Sequence, residues 1–182
     1  MSAPVGRVRI IGGEWRSRLI DVRSVQGLRP TPDRVRETLF NWLGQELDGR
    51  SCLDLFAGSG ALGFEAASRG AARVVMIEQD PLAFAALQAN AKTLQATRVQ
   101  IVRGDALKFA GSASSRFDVV FFDPPYRAGW VDRMAPFLPD LLTESGVIYV
   151  EAEYKIEKID RLTRIKQGSA GQVYYHLFAA HA

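Results

Sequence analysis

Leu53-Asp54-Leu55-Phe56-Ala57-Gly58-Ser59-Gly60-Ala61-Leu62-Gly63 runs from a buried strand through a glycine turn into a helix. Gly58, Gly60 and Gly63 fit G-x-G-x-x-G, a spacing that lets backbone approach a ligand closely and lets the helix pack onto its sheet. The motif alone is weak, but here it sits between a strand and a helix, with Glu78 twenty residues beyond Gly58 at the end of the next strand.

Outward from that turn the chain alternates strands and helices. Ser51 to Phe56, Arg73 to Ile77, Arg98 to Val102, Phe117 to Phe122 and Gly146 to Glu151 read as strands. Ala61 to Ser68, Pro81 to Leu94, a short turn near Ala106 to Phe109 and Trp130 to Leu142 read as helices between them. Arg161 to Gln167 and Val173 to Phe178 read as a closing antiparallel pair. Near-continuous apolar strands separated by helices predict a parallel sheet covered on both faces, with ligands at the carboxyl ends of the strands. Before this body, Arg7 to Ile11 and Trp15 to Ile20 predict a hairpin turning at Gly12-Gly13. A loop follows from Ser24 to Pro30. Thr31 is then expected to cap an amphipathic helix over residues 33–47, with Pro32 at its first position and Val35, Leu39, Leu43 and Leu47 on its apolar face.

Three acids fall at three successive strand ends: Asp54, Glu78 and Asp105. Glu78 can accept both hydroxyls of a ribose, and Asp105 can read an adenine edge while capping the helix after it. Two nucleoside cofactors compete for such a site, NAD and S-adenosylmethionine. Asp54 favours the second, because a carboxylate suits the methionine amino group and would repel a pyrophosphate seated on a helix N-terminus.

Phe122-Asp123-Pro124-Pro125-Tyr126 follows the fourth strand of the body. The two prolines remove two backbone donors and fix φ, leaving carbonyl oxygens as acceptors. Asp123 adds a carboxylate and Tyr126 an aromatic face, so the loop suits a planar base carrying an exocyclic NH₂. Acceptors on the amine protons would concentrate electron density on a poorly nucleophilic nitrogen, leaving catalysis to positioning and charge placement. His176 and His181 stand apart from the strand-end cluster, and Cys52 reads as a small buried hydrophobe. The chain has no G-x-S-x-G, no G-K-[ST] and no metal-spaced His/Cys cluster, which argues against the common hydrolase, P-loop and zinc chemistries.

The 182 residues, 47% hydrophobic, suffice for one domain with a short appendage. One cysteine builds no disulfide framework, and no apolar run is long enough to span a bilayer, so a cytoplasmic protein with no membrane partner is expected. The net charge of +3 is unevenly spread: residues 1–36 carry eight arginines against three acids, a net +5, while residues 37–182 carry a net −2. Arginine suits bidentate phosphate contact and base stacking, so the first fifth of the chain points to nucleic acid.

The glycine turn, Asp123-Pro124-Pro125-Tyr126 and the block Arg29-Pro30-Thr31-Pro32-Asp33-Arg34-Val35-Arg36-Glu37-Thr38-Leu39-Phe40-Asn41 together resemble the RsmD family, from about Arg7 to Phe178. That family comprises bacterial 16S rRNA guanine-N2 methyltransferases using S-adenosyl-L-methionine. The resemblance implies a Rossmann-like α/β methyltransferase fold, mostly parallel with an antiparallel C-terminal strand, in residues 33–182. Residues 1–32 would form an N-terminal RNA-binding extension. Asp54, Phe56, Ala57, Gly58, Ser59 and Gly60 would line the methionine portion of the cofactor. Glu78 with Gln79 would hold the ribose, and Gly104, Asp105 and Ala106 the adenine. Asp123, Pro124, Pro125 and Tyr126 would hold the target guanine. Arg7, Arg9, Arg16, Arg18, Arg29, Thr31, Arg34 and Arg36 would grip RNA or close over the site. The implied partner is 16S rRNA, within the small ribosomal subunit or an assembly intermediate, met by a monomer. Methyl transfer to a different exocyclic amine, such as adenine N6 in DNA or another RNA, is the alternative on the same motifs.

Overall fold

The computed structural model describes residues 6–23 and 31–180. Arg29 and the expected loop from Ser24 to Pro30 lie outside them, as does His181.

The body is one seven-stranded sheet. Its strands are β3 (Ser51–Asp54), β4 (Arg73–Glu78), β5 (Val99–Arg103), β6 (Phe117–Phe122), β7 (Leu142–Ala152), β8 (Thr163–Ala170) and β9 (Val173–Ala179), ordered β5-β4-β3-β6-β7-β9-β8. The first five in that order pair in parallel, β9 runs antiparallel to β7, and β8 antiparallel to β9. This is the Rossmann-like, mostly parallel arrangement that the strand–helix alternation predicts. The chain moves from β3 outward through β4 and β5, then returns to β6 on the other side of β3. A crevice therefore opens beyond the carboxyl ends of β3 and β6, where the direction of winding reverses.

The sheet is buried on both faces. Cys52, Val74, Met76, Val119 and Phe121 belong to one apolar cluster, and Leu53, Val75, Val120, Phe122 and Ile148 to the other. Helix α2 (Ala61–Ser68) is buried along its whole length, and α3 (Pro81–Leu94) is capped by Asp80, whose carboxylate accepts from the N–H groups of Leu82 and Ala83. Burial pushes the Cys52 thiol up to about 12, which makes it an inert packing residue. His176 is also interior: its Nε2 accepts from the Ile156 N–H at 3.1 Å, and burial lowers its basicity. No described helix is long and apolar enough to cross a membrane.

Four local expectations need correction. The hairpin pairs β1 (Gly6–Arg9) with β2 (Leu19–Val22), and residues 10–18 form a longer connection than a Gly12-Gly13 turn. That connection is drawn onto α2: Trp15 is buried, its N–H donates to Ser68 Oγ at 2.9 Å, and the Glu14 N–H donates to the Ser68 carbonyl at 2.7 Å. Helix α1 covers Asp33–Leu43 and stops at Gly44 in the left-handed conformation, so Leu47 is buried from the following turn. Pro32, and not Thr31, occupies its N-cap position, because the Thr31 hydroxyl is engaged elsewhere. The helix expected from Trp130 to Leu142 shrinks to α5 (Trp130–Met134) and a 3₁₀ turn at Leu138–Leu141, with Pro139 in that turn, and Leu142 already opens β7.

Arg36 is the largest correction. The arginine expected at the RNA is fully buried, as is Glu65 on α2. Glu65 accepts from the Ile11 N–H at 2.9 Å, the Gly12 N–H at 2.8 Å, Arg69 Nε at 2.8 Å and Arg36 Nη1 at 3.3 Å. Arg36 also donates to the Arg9 carbonyl at 2.9 Å, the Thr31 carbonyl at 3.3 Å and Asp33 Oδ1 at 2.6 Å. Two opposite charges thus tie β1, the Gly12 connection, α1 and α2 together. Arg36→Met would leave Glu65 short of its buried counter-charge and should cost about 3–5 kcal/mol in urea unfolding. A loss below about 1 kcal/mol, the range of a surface pair, would show the knot to be dispensable.

Candidate active site

The crevice between β3 and β6 is lined with acids. Asp54 ends β3 and is 1% exposed. Its Oδ2 accepts the Gly63 N–H at 3.2 Å, while its buried Oδ1 has no partner among the described residues. Burial pushes the carboxyl up to about 7, opposed by the Gly63 N–H and aided by the charge of Glu78. A buried oxygen without a donor is costly, and a ligand ammonium supplies both the donor and the opposite charge.

The glycine turn is shaped as its spacing predicts. Gly60 sits at φ +82° at the start of α2, where a Cβ would collide with Phe64 and Leu87. A Cβ on Gly63 would press on Met76 of β4, so only glycine lets α2 lie this close to the sheet. The Ser59 hydroxyl accepts from the Ala61 N–H, and Ala57 is tied to β4 through the Ile77 carbonyl. Glu78 is held at both oxygens, by the Gly58 N–H and the Asp80 N–H, each at 2.8 Å, which fixes its direction and leaves lone pairs for further donors. Gln79 beside it is exposed. Asp105 caps α4 (Ala106–Ser112) through the Lys108 N–H at 2.9 Å, and the Gly104 N–H donates to the Glu78 carbonyl at 3.0 Å. The loops after β3, β4 and β5 are therefore one hydrogen-bonded rim.

Asp123 lies directly beyond β6, half-buried, with Pro124 buried and Pro125 and Tyr126 exposed. Burial raises the Asp123 carboxyl well above the ordinary range, and the charges of Glu151 and Asp54 raise it further. The rest of the loop is anchored at Arg127, whose N–H donates to Glu153 Oε1 at 2.6 Å. Phe56 packs edge-on against Trp130 at 4.9 Å between ring centroids, and the Arg133 guanidinium covers Trp130 at 4.0 Å. These rings form an apolar shoulder next to the glycine turn.

Two neighbours of Asp123 escaped the strand-end reading. Thr31 is buried, and its Oγ1 lies 3.3 Å from Asp123 Oδ2 and 3.0 Å from Glu151 Oε1. Glu151, near the end of β7, accepts the Tyr149 hydroxyl at 2.7 Å. A signal for Glu151 was available, since it is one more acid at the end of an apolar strand.

The expected RNA contacts separate. Arg7 and Arg9 line a groove of about 360 Å³ that Thr31 also borders. Arg16 lines a larger one of about 620 Å³ with Arg69 and Arg98. Arg18 reaches the Thr93 carbonyl at 2.9 Å, Arg34 is exposed on α1, and Arg36 is interior.

An open α/β sheet with a glycine turn after β3 and acids at its carboxyl edge has the architecture of the Rossmann-like methyltransferases. Comparison with known proteins makes this specific. Residues 8–179 match the family model described as Conserved hypothetical protein 95. The chain is 42% identical to ribosomal RNA small subunit methyltransferase D of Escherichia coli strain K12, covering 97% of this chain and 92% of that protein. It is 40% identical to the protein of the same name from Haemophilus influenzae, over 95% and 94% of the two chains. The solved yhhF structure from E. coli superposes with a TM-score of 0.87 over 97% of this chain and 99% of that one, at 42% identity. An RNA methyltransferase from Salinibacter ruber, solved with S-adenosyl-L-homocysteine, shares the fold at 21% identity and a TM-score of 0.67, over 84% and 94% of the two chains. The chain belongs to the RsmD family.

The state of Asp54 sets a pH dependence. Its folded pKa of about 7 lies above its unfolded value of 3.8, so its contribution to stability is full at low pH and is lost as pH rises through 7. The melting temperature of ligand-free wild-type protein should therefore fall more between pH 5 and pH 8 than that of Asp54→Asn. Parallel pH profiles in scanning calorimetry would show that Asp54 is ionised without cost.

Proposed function

We propose that the protein transfers a methyl group from S-adenosyl-L-methionine to the exocyclic N2 of a guanine in small-subunit rRNA, in the subunit or an assembly intermediate. The observation that carries this reading is the juxtaposition, at the ends of adjacent strands β3 and β6, of a buried Asp54 oxygen with no donor among the described residues and Asp123 at the head of a proline-fixed loop. When bound, the cofactor supplies an electrophilic methyl on a sulfonium. Asp54 would take its amino group, with Phe56 and residues Ala57 to Gly60 beside the methionine chain. Glu78 and Gln79 would take the ribose, and Gly104, Asp105 and Ala106 the adenine. Membership of a family whose relatives are named rRNA methyltransferases supports the substrate class, and the S-adenosyl-L-homocysteine held by the S. ruber protein supports the cofactor.

On the other side of the crevice, Asp123 and the Pro124 carbonyl would accept the two N–H groups of the amine while Tyr126 stacks on the base. Those hydrogen bonds draw the nitrogen lone pair out of conjugation and aim it at the methyl, so that the protein contributes orientation and fixed charge. A paired amine is out of reach, so the target nucleotide must be unpaired or flipped out. Residues 1–32 would serve as the RNA-facing extension, with Arg7 and Arg9 in the groove that borders Thr31.

Small-subunit RNA from a strain lacking the enzyme, incubated with labelled cofactor and mapped by digestion, should carry the label at one guanine N2. Asp123→Ala should lower the rate by about a hundredfold or more, while cofactor affinity measured calorimetrically stays within about a factor of two. Full activity in that variant would sink the mechanism. Replacing both Arg7 and Arg9 with alanine should weaken RNA binding and reduce the slope of log affinity against log salt by about 2. An unchanged slope would place the RNA on another face.

A further inference from the structure

The contacts behind Asp123 contain more than support. Thr31 Oγ1 is within hydrogen-bond distance of both Asp123 and Glu151, and the Tyr149 hydroxyl donates to the same Glu151 oxygen. A threonine hydroxyl has one proton, so it cannot donate to two carboxylates at once. With one proton on the carboxyl pair every contact closes: the Asp123 O–H donates to Thr31 Oγ1, and Thr31 and Tyr149 both donate to Glu151. Moving that proton to Glu151 and turning the Thr31 hydroxyl gives an equally closed chain pointing the other way.

We propose that Glu151 is a proton store for Asp123 and that Thr31 is the switch between them, both acting as positioning residues for methyl transfer. This rests on the reading of Asp123 as the amine acceptor. At rest the shared proton is on Asp123. As the target amine arrives, the Asp123 O–H bond breaks with its electron pair left on the carboxylate. Thr31 Oγ1 accepts that proton and passes its own to Glu151. Asp123 is then an acceptor for the amine N–H. After transfer, the methylated nitrogen releases a proton to Asp123, the N–H electron pair remaining on nitrogen. The carboxyl pair passes from charge −1 to 0 and returns to −1 by losing a proton to water at the half-buried Asp123.

The surroundings favour one retained proton. Burial raises both carboxyls, and the charged groups acting on Asp123 are Glu151 of β7 and Asp54 of β3. Tyr149 is held protonated, being raised by burial and by Glu151, Asp123 and Tyr175 of β9. Arg36 neutralises none of this directly; it holds the Thr31 carbonyl at 3.3 Å and so fixes where the hydroxyl stands.

The test compares Glu151→Gln, Thr31→Val and Thr31→Ser with wild type, using small-subunit RNA from the strain lacking the enzyme. Combined with Thr31→Val, which leaves the proton stranded on Asp123, Glu151→Gln removes the charge that keeps it there, so the acid limb of kcat against pH that Thr31→Val raises should move back down by about one unit or more. Thr31→Val should lose about tenfold or more in kcat at neutral pH and regain it as pH rises, with cofactor affinity within about a factor of two, while Thr31→Ser restores the neutral rate. An acid limb that Glu151→Gln fails to lower in the Thr31→Val background, or a pH-independent loss in Thr31→Val, overturns the proposal. Infrared spectra of the ligand-free proteins give a readout that needs no turnover. With Asp54→Asn in every protein, to remove the other carboxyl that is protonated near neutrality, a protonated-carboxyl band should be present near neutral pH when Asp123 and Glu151 are intact and absent from both Glu151→Gln and Asp123→Asn, and its survival in both overturns the proposal. Label on an amine other than guanine N2 would overturn the substrate reading alone, since the pH profile on that amine still reports the relay.

Discussion

The carboxylate of Glu65, in the middle of an otherwise apolar helix, is the constraint on which the placement of the N-terminal segment depends. An isolated buried carboxylate is expensive, and breaking a buried pair costs more than forming it gains. Glu65 is stable there because four donors converge on it, two of them cations. Satisfying it obliges residues 10–13 to lie on α2 and obliges Arg36 to point inward. Arg36 in turn holds the Arg9 and Thr31 carbonyls. The segment that carries the surplus positive charge is therefore registered against the crevice at the ends of β3 and β6 by a charge it surrenders to the interior.

Within the crevice the electrostatics run the opposite way. Asp54, Asp123 and Glu151 are brought together at the carboxyl ends of adjacent strands, with their proton affinities raised by burial, that of Asp123 also by the charges of Glu151 and Asp54. Such a site is poorly satisfied when empty, and a cationic ligand relieves it. The same field that destabilises the free protein at alkaline pH thus becomes affinity when a positive cofactor enters. Fixed dipoles and charges that need no rearrangement on binding are the usual source of transition-state stabilisation.

Much of this was legible in the sequence, for a physical reason. Ala61–Ser68, Pro81–Leu94 and Phe117–Phe122 agree with the sequence reading end to end, because apolar continuity and a proline start specify them locally. The strand-end rule located Asp54, Glu78, Asp105 and Asp123. What escaped depends on contacts distant along the chain. Thr31 was expected at the site from the family resemblance alone; its local pattern is that of an N-cap, and the bonds of its hydroxyl to Asp123 and Glu151, across 92 and 120 residues, were not readable. Arg36 has the ordinary pattern of a surface arginine, yet it answers Glu65, whose isolation in the run Ala61 to Ser68 was the readable clue. The loop after Gly12-Gly13 was misjudged for the same reason: local turn chemistry was overridden by docking onto α2.

The position of β9 between β7 and β8 bears on how the molecule assembles. β8 reaches the sheet only through β9, to which the short turn at Gly171 joins it, so β7 stays an edge strand until β9 docks. Until it does, β7 presents an open row of unpaired amides, the kind of edge that invites pairing with other chains. The docking also carries Tyr175 to Glu151, its register partner. The surroundings of Glu151 are therefore completed only when β9 is paired with β7, and a chain in which β9 is undocked lacks one wall of the crevice.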